Sequence, residues 1–211
     1  MLLACYAIGS LHAAYFMGRI FAKIDIREHG SGNSGGINVI RVMGTFAGVP
    51  VVIFDVGKVV LIVMFVNYMF YGQAFGLAHY QLLPGSFAAF GAVLGHIFPP
   101  YLKFKGGKGI APTLGFAFAL DWRIALICIA VWIILVLLTK YITVGGVSGI
   151  AVFAASSLWL FSDNLILAAV CLAISIIVIA KHKQNIILVI KGKEMKITER
   201  KKGGELNRPV R

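Results

Sequence analysis

"GSGNSGGIN", residues 30–38, satisfies two unrelated patterns at once. Gly30-Ser31-Gly32-Asn33-Ser34-Gly35 reads as G-x-G-x-x-G, the fingerprint of a dinucleotide-binding turn. Gly32-Asn33-Ser34-Gly35-Gly36 reads as G-x-S-x-G, the nucleophile elbow of α/β hydrolases. Both readings need a strand before the turn and a helix after it, set in a sheet. What flanks the stretch therefore decides the fold.

The flanks are apolar. The chain of 211 residues is 59% hydrophobic and 13% charged, against about 45–50% and about 25% for a soluble domain. Runs approaching the roughly 20 residues needed to cross a bilayer lie near 2–22, 45–71, 82–102, 123–139, 143–161 and 163–180. A shorter run occupies 109–120. A turn bracketed by such runs has no sheet around it, so neither enzyme reading of the motif stands.

Charge placement decides whether the short run crosses. Net charge is +12. Arg19, Lys23, Arg27 and Arg41 flank the first long loop, Lys103, Lys105 and Lys108 form a second cluster, and Lys140 stands alone. Ten Lys or Arg lie from Lys181 to Arg211. If 109–120 crosses, all of these fall on one side and Arg123 alone lies opposite; if it does not, Lys140 and the tail part from the first two clusters. Cytoplasmic loops carry the Lys/Arg excess. The expectation is an all-α integral membrane protein of about seven transmembrane helices, one polytopic domain over 1–211. Its N-terminus is outside and its C-terminus in the cytoplasm, with glycine-rich active-site loops on the cytoplasmic side.

The basic tail, 181–211, is interleaved with Ile186, Ile187, Leu188, Val189 and Ile190 rather than aromatics. It lacks the stacking platform of a single-strand nucleic-acid binder. Membrane lipid is the expected partner, or the tail is a solvated topological anchor; no obligatory protein partner is expected. Cys5, Cys128 and Cys171 lie singly in apolar runs, without disulfide or metal spacing. The N-terminus has no basic stretch before its apolar run, so no cleaved signal peptide is expected.

Stripped of its two false matches, the 30–38 loop keeps a physical meaning. Glycines let backbone N–H groups approach an anion and form a nest. Ser31, Asn33, Ser34 and Asn38 add donors, and Arg41, one helical turn beyond Asn38, can clamp a phosphate with two hydrogen bonds. A second loop, "GHIFPPYLKFKGGKGIAP" at 95–112, sets His96, Lys105 and Lys108 around Gly106, Gly107 and Gly109. No Walker A pattern occurs, because Lys58, Lys108 and Lys193 are followed by Val, Gly and Glu. Lys108, at a predicted helix start, is the better phosphate ligand. A third stretch, "HKQNIILVIKGKE" at 182–194, puts His182 and Asn185 on one helix face. Asp55 and Lys58, inside an apolar run, are expected to pair. No His/Cys/carboxylate cluster has metal spacing, and no cofactor is expected. The His-x4-Asp pair of acyl-CoA glycerolipid acyltransferases is also missing. A transporter of phosphorylated metabolites would share the spans and basic loops. Its polar residues would have to line a path across the bilayer, whereas these gather at one face with no inverted repeat.

"IDIREHGSGNSGGINVIR", "GHIFPPYLKFKGGKGIAP" and "HKQNIILVIKGKE", with "DVGK" at 55–58, resemble in order and spacing the three signatures of the bacterial acyl-phosphate:glycerol-3-phosphate acyltransferases. This small integral membrane family is called PlsY, and the likeness runs along nearly the whole chain. It implies transfer of a fatty acyl group from acyl phosphate to the sn-1 hydroxyl of glycerol 3-phosphate, giving lysophosphatidic acid and phosphate. That is the first step of phospholipid biosynthesis, at the bacterial inner membrane. By the resemblance, Ser31, Gly32, Asn33, Gly35 and Asn38 bind substrate in the first signature, with Arg41 catalytic. Gly106 and Gly107 do so in the second, with Lys108 catalytic, and His182 and Glu194 in the third, with Asn185 catalytic. Lys105, a topological charge or a phosphate contact, and His96, binding or structural, complete the candidate substrate-binding residues. The resemblance also implies that the substrate phosphate, rather than a histidine, accepts the proton. The chain departs from the family's usual residues at Ile37 and Pro112 (usually Thr), Gly146 (usually Ser, with Thr143 nearby here) and Leu188 (usually Arg).

Overall fold

The computed structural model describes residues 1–76 and 78–197; the distal part of the basic tail, 198–211, lies outside the described residues. Among the described residues all regular structure is helical. The first apolar run, expected to be one span over 2–22, is broken. Helix α1 (Leu2–Gly9) stops, and α2 (Ala13–Met17) starts after a gap at 10–12 and runs into a π turn at Gly18–Ala22. A broken helix frees backbone groups that hydrocarbon cannot satisfy, at several kcal/mol each. Here side chains from far along the chain take them up. Tyr101 Oη donates to the Ser10 carbonyl at 2.7 Å and accepts from the His12 N–H at 3.1 Å, and the Lys58 ammonium donates to the Leu11 carbonyl at 2.9 Å.

After the 23–35 loop come α3 (Gly36–Met43), α4 (Thr45–Tyr71), α5 (Leu83–Ile97), α6 (Ile110–Leu120), α7 (Trp122–Thr139) and α8 (Ile142–Leu160). Then α9 (Leu165–Lys181) and α10 (Lys183–Ile190) follow, bent by 54° at His182. Four segments have the length and apolarity to cross a bilayer: Thr45–Tyr71, His79–Leu102, Trp122–Thr139 and Ile142–Leu160. The bent pair α9–α10 makes a fifth if taken as one span. At 1.5 Å per residue, α6 is only about 16 Å long, roughly half the hydrocarbon thickness. It is an integral membrane helical bundle.

Small residues bring the helix axes together, since apolar side chains gain little by leaving lipid for protein. A methyl on Gly95 would overlap the Tyr6 carbonyl and one on Gly9 the Ala92 carbonyl, so α1 and α5 touch backbone to backbone. Gly115 lets α6 lie on the Val56 carbonyl of α4 in the same way. Around these contacts a single apolar core includes Val59, Val93, Phe116, Phe153 and Ile174. Of the four long segments α7 is the least buried, with Leu137 and Leu138 exposed. A separate small cluster of Ala14, Ile26, Val39 and Val51 seats the first loop on α4.

Candidate active site

The three loops converge at one end of the bundle. In the first, Asp25 is the organiser. Its buried carboxylate accepts from Arg27 through N–H (3.0 Å), Nε (3.0 Å) and Nη2 (2.7 Å), and from Arg19 Nη2 (3.2 Å). The Arg27 hydrogen bond holds this carboxyl below the usual carboxylate range. Arg27 also donates to the Leu102 carbonyl at 3.2 Å, tying the first loop to the second. The glycine pattern has a steric reason here. Gly30 and Gly32 lie in the left-handed region at φ 61° and 73°, and a Cβ on Gly30 would overlap Asn38 Oδ1.

Asn38 turns out to be committed within the protein. Its Oδ1 accepts from the Ser31 N–H (2.8 Å) and Oγ (3.0 Å), and its Nδ2 donates to the Ile26 and His29 carbonyls (3.0 Å each). It borders the cavity as the clamp of the loop. Gly35 caps α3: its carbonyl accepts from the Asn38 N–H at 3.0 Å and the Val39 N–H at 3.2 Å, while the N–H groups of Gly36 and Ile37 at the helix start have no acceptor within the helix. Arg41, in the last turn of α3, reaches the Met195 carbonyl at 3.5 Å. Burial pulls its guanidinium below the ordinary value, with Glu194 acting in the opposite direction; it remains cationic throughout the physiological range.

The second loop folds back on the end of α5. Gly106 and Gly107 N–H donate to the carbonyls of Ile97 (3.2 Å) and His96 (3.1 Å). Lys105 is exposed and outside the cavity; Gly32 and Gly106, half-buried, and Gly107, buried, do not line it either. Lys108 faces in and donates to Asn185 Oδ1. Burial lowers its pKa, Glu194 opposes that and Arg41 adds to it.

In the third stretch, His182 sits at the α9–α10 bend with Nδ1 2.7 Å from the Val178 carbonyl. A carbonyl only accepts, so Nδ1 carries the proton and Nε2 is left as an acceptor. Asn185 Nδ2 donates to both Glu194 oxygens at 3.0 and 3.1 Å, and Thr143 Oγ1 donates to Glu194 Oε1 at 2.9 Å. Lys108, Asn185, Glu194 and Thr143 thus form one continuous chain of hydrogen bonds.

These groups line a cavity of about 290 Å³ with two ends of opposite character. Ser31, Asn33, Gly35, Asn38, Arg41, Lys108, His96, His182, Asn185 and Glu194 border it. Away from them runs an apolar arm of Leu114, Ala117, Cys128, Ile129, Trp132, Ile150 and Phe153, between α6, α7 and α8. Sequence reading missed this arm, because such residues in a span look like ordinary core or lipid-facing groups. It also missed His12, whose ring lies tilted against that of His96, centroids 4.5 Å apart. Of the departures, Ile37 and Gly146 border the cavity. Beside Pro112, Thr113 borders it and donates to the Gly109 carbonyl at 2.8 Å. Leu188 is away from it. Among the described residues no three His, Cys, Asp or Glu side chains group as metal ligands would.

The family profile described as Glycerol-3-phosphate acyltransferase matches residues 1–192. The chain is 36% identical over 202 residues to the glycerol-3-phosphate acyltransferase of Francisella tularensis subsp. mediasiatica, covering 96% of this chain and 94% of that one. It is 36% identical to that of Clostridioides difficile, covering 93% of each. In structure it is similar to PlsY, an integral membrane glycerol 3-phosphate acyltransferase, crystallised in a glycerol 3-phosphate form (TM-score 0.80, 27% identity, 93% of each chain) and a lysophosphatidic acid form (TM-score 0.76, 27% identity, 92% of each chain). The chain, whose cavity joins a cationic, glycine-lined mouth to an apolar arm and whose residues 1–192 match the family profile, belongs to the glycerol-3-phosphate acyltransferase family.

Proposed function

We propose that this acyltransferase takes its acyl group from an acyl phosphate and passes it to the sn-1 hydroxyl of glycerol 3-phosphate, and that Arg41, Lys108 and the loop N–H groups hold the phosphates. The observation that carries this is the two-ended cavity. A cationic end formed by Arg41 and Lys108 opens directly into an apolar arm reaching Cys128 and Phe153, which suits a molecule with a phosphate joined to a fatty chain. The related PlsY structures in glycerol 3-phosphate and lysophosphatidic acid forms support the acceptor and the product.

The donor is already activated, so no acyl-enzyme is needed. The glycerol oxygen bonds to the acyl carbon, the acyl carbon–oxygen bond to phosphate breaks, and phosphate leaves with the bonding pair and the hydroxyl proton. Arg41 and Lys108 offset the charge that gathers on the tetrahedral oxygen and the departing phosphate, commonly the largest catalytic term. Both substrates held in one cavity supply proximity. His182, with Nε2 as an acceptor, orients the glycerol hydroxyl. Asn33 and the capping glycines contribute donors beside Ser31, whose own N–H and hydroxyl proton are on Asn38, while Asn185 and Glu194 fix the Lys108 ammonium.

The chain works as a single domain, its site assembled from residues 31 to 194. We read seven crossings in the inner membrane, the broken first segment and the short α6 completing the set. The N-terminus is then outside and the basic end cytoplasmic, against anionic lipid. The test supplies acyl phosphate, acyl-CoA and acyl carrier protein thioester separately to purified protein with labelled glycerol 3-phosphate and a chelator. Lysophosphatidate should form from acyl phosphate alone. Efficient product from a thioester, or none from acyl phosphate, overturns the donor assignment.

A further inference from the structure

At the cavity floor lies a buried cluster to which the proposed reaction gives no role: Asp55 and Lys58 on α4, His96 at the end of α5, and His12 in the break of the first segment. All four are at least nine-tenths buried. The Lys58 ammonium has three protons and three acceptors: Asp55 Oδ1 at 2.8 Å, the Leu11 carbonyl at 2.9 Å and His96 Nδ1 at 3.2 Å. An ammonium can only donate. His96 Nδ1 must therefore offer its lone pair, and a proton there would set two donors against each other.

The 3.5 Å separation of Nδ1 from Asp55 Oδ1 is too long to compete. The single proton of a neutral His96 ring is thereby placed on Nε2. That nitrogen has no hydrogen-bond partner among the described residues, yet it is not one of the sealed orphan atoms, which are His12 Nδ1, Ser34 Oγ and the Asn67 amide. It lies where a side chain on Gly107 would have to go, one residue from Lys108, and the ring borders the cavity. His12 holds the arrangement from behind, its Nε2 2.8 Å from the His96 carbonyl and 3.1 Å from the Gly107 nitrogen.

We infer that Lys58, oriented by Asp55 and the Leu11 carbonyl, is a positioning residue that fixes His96 as a neutral Nε2–H donor, and that this N–H binds an anionic oxygen of the acyl donor's phosphoryl group beside Lys108. His96 is then a hydrogen-bond donor and not a base, the mirror of His182, whose Nδ1–H is spent on Val178. The broken first segment acquires a purpose, since only a break frees the Leu11 carbonyl to take the second Lys58 proton.

The contact with the donor rests on the acyl-phosphate reading; the tautomer does not. The first measurement is therefore made without substrate. Nitrogen NMR on detergent-solubilised protein carrying ¹⁵N-labelled histidine, with His96→Gln used to assign the signal, should show Nε2 protonated and Nδ1 bare. Protonated Nδ1, or an imidazolium, overturns the inference. Lys58→Met should move the proton to Nδ1, facing Asp55. Asp55→Asn with Lys58→Met, which removes both charges and supplies an amide donor, should return it to Nε2.

Kinetics then tests the role. His96→Gln, whose amide can donate from nearly the same place, should keep kcat within about tenfold of wild type. His96→Leu should lose about 10²–10³-fold in kcat, the size of a deleted transition-state donor, with the KM for glycerol 3-phosphate little changed. Equal losses in the two variants overturn the donor role. A wild-type protein silent with acyl phosphate counts against the reaction and leaves the nitrogen shifts to decide the tautomer.

Discussion

Removing the Lys108 ammonium tests the site where its consequences can be worked through furthest. One of its three N–H groups is spent on Asn185 Oδ1, leaving two for a phosphate oxygen in the cavity. Lys108→Met deletes a charged transition-state contact of about 2.7–4 kcal/mol, which lowers kcat by roughly 10²–10³-fold. Asn185→Ala leaves the charge and removes the bond that aims it, a loss of about 1.5–3 kcal/mol for a hydrogen bond to a charged group and so roughly 10- to 150-fold. Because the second residue acts through the first, adding Asn185→Ala to Lys108→Met should cost almost nothing more, and the cycle should show a coupling of at least about 0.5 kcal/mol. The assay is phosphate release with parallel detection of lysophosphatidate. The pH profile gives an independent check. Burial lowers the Lys108 pKa, so the required cation is lost, and kcat/KM falls, below the ordinary lysine value of about 10.4. Lys108→Arg, if turnover persists, should push that alkaline limb upward because guanidinium does not titrate there. Glu194→Gln should pull it down, since Glu194 is the group that raises the Lys108 pKa. Strict additivity in the cycle, or an alkaline limb unmoved by both Lys108→Arg and Glu194→Gln, would refute the reasoning.

Arg41→Ala should cut kcat/KM by about 10²–10³-fold in protein that still inserts; near-normal turnover would remove Arg41 from the site. Gly95→Val should lower the thermal unfolding midpoint in detergent, because its side chain would enter the Tyr6 carbonyl and overpacking costs about 1–3 kcal/mol. An unchanged midpoint would mean that α1 and α5 are not in backbone contact. Single cysteines placed near Gly32, Gly106 and Gly192 should all label from the cytoplasmic side. One of them labelling only from outside would break the shared site.

Most of the fold can be read in the sequence because lipid imposes one simple demand. The expected spans 45–71, 123–139 and 143–161 agree with α4, α7 and α8 to within a residue. The three polar loops were legible for the same reason, since Ser31, Arg41, Lys108 and Asn185 stand out in an apolar chain and have few places to go. What could not be read depends on partners distant in sequence. Nothing local in 2–22 announces a break at Ser10–His12; its cause is Lys58 and Tyr101, 47 and 91 residues away along the chain. Asn38 has the composition of a ligand but serves as a clamp, because the carbonyls of Ile26 and His29 happen to turn toward it. The pairing of Thr143 with Glu194 spans 51 residues. The apolar arm is invisible because Cys128 and Phe153 look the same facing a fatty chain as facing a neighbouring helix.

The break in the first segment also sets an order of manufacture. The Leu11 and Ser10 carbonyls take their donors from Lys58 and Tyr101, and His12 meets Tyr101 through its N–H and His96 and Gly107 through its ring. Until residues 101 and 107 have been made, the break at 10–12 lacks the groups that satisfy it in the folded chain, and hydrocarbon cannot stand in for them. The expectation is therefore that a nascent chain ending between residues 58 and 100 holds a first span that is longer and straighter than the folded one.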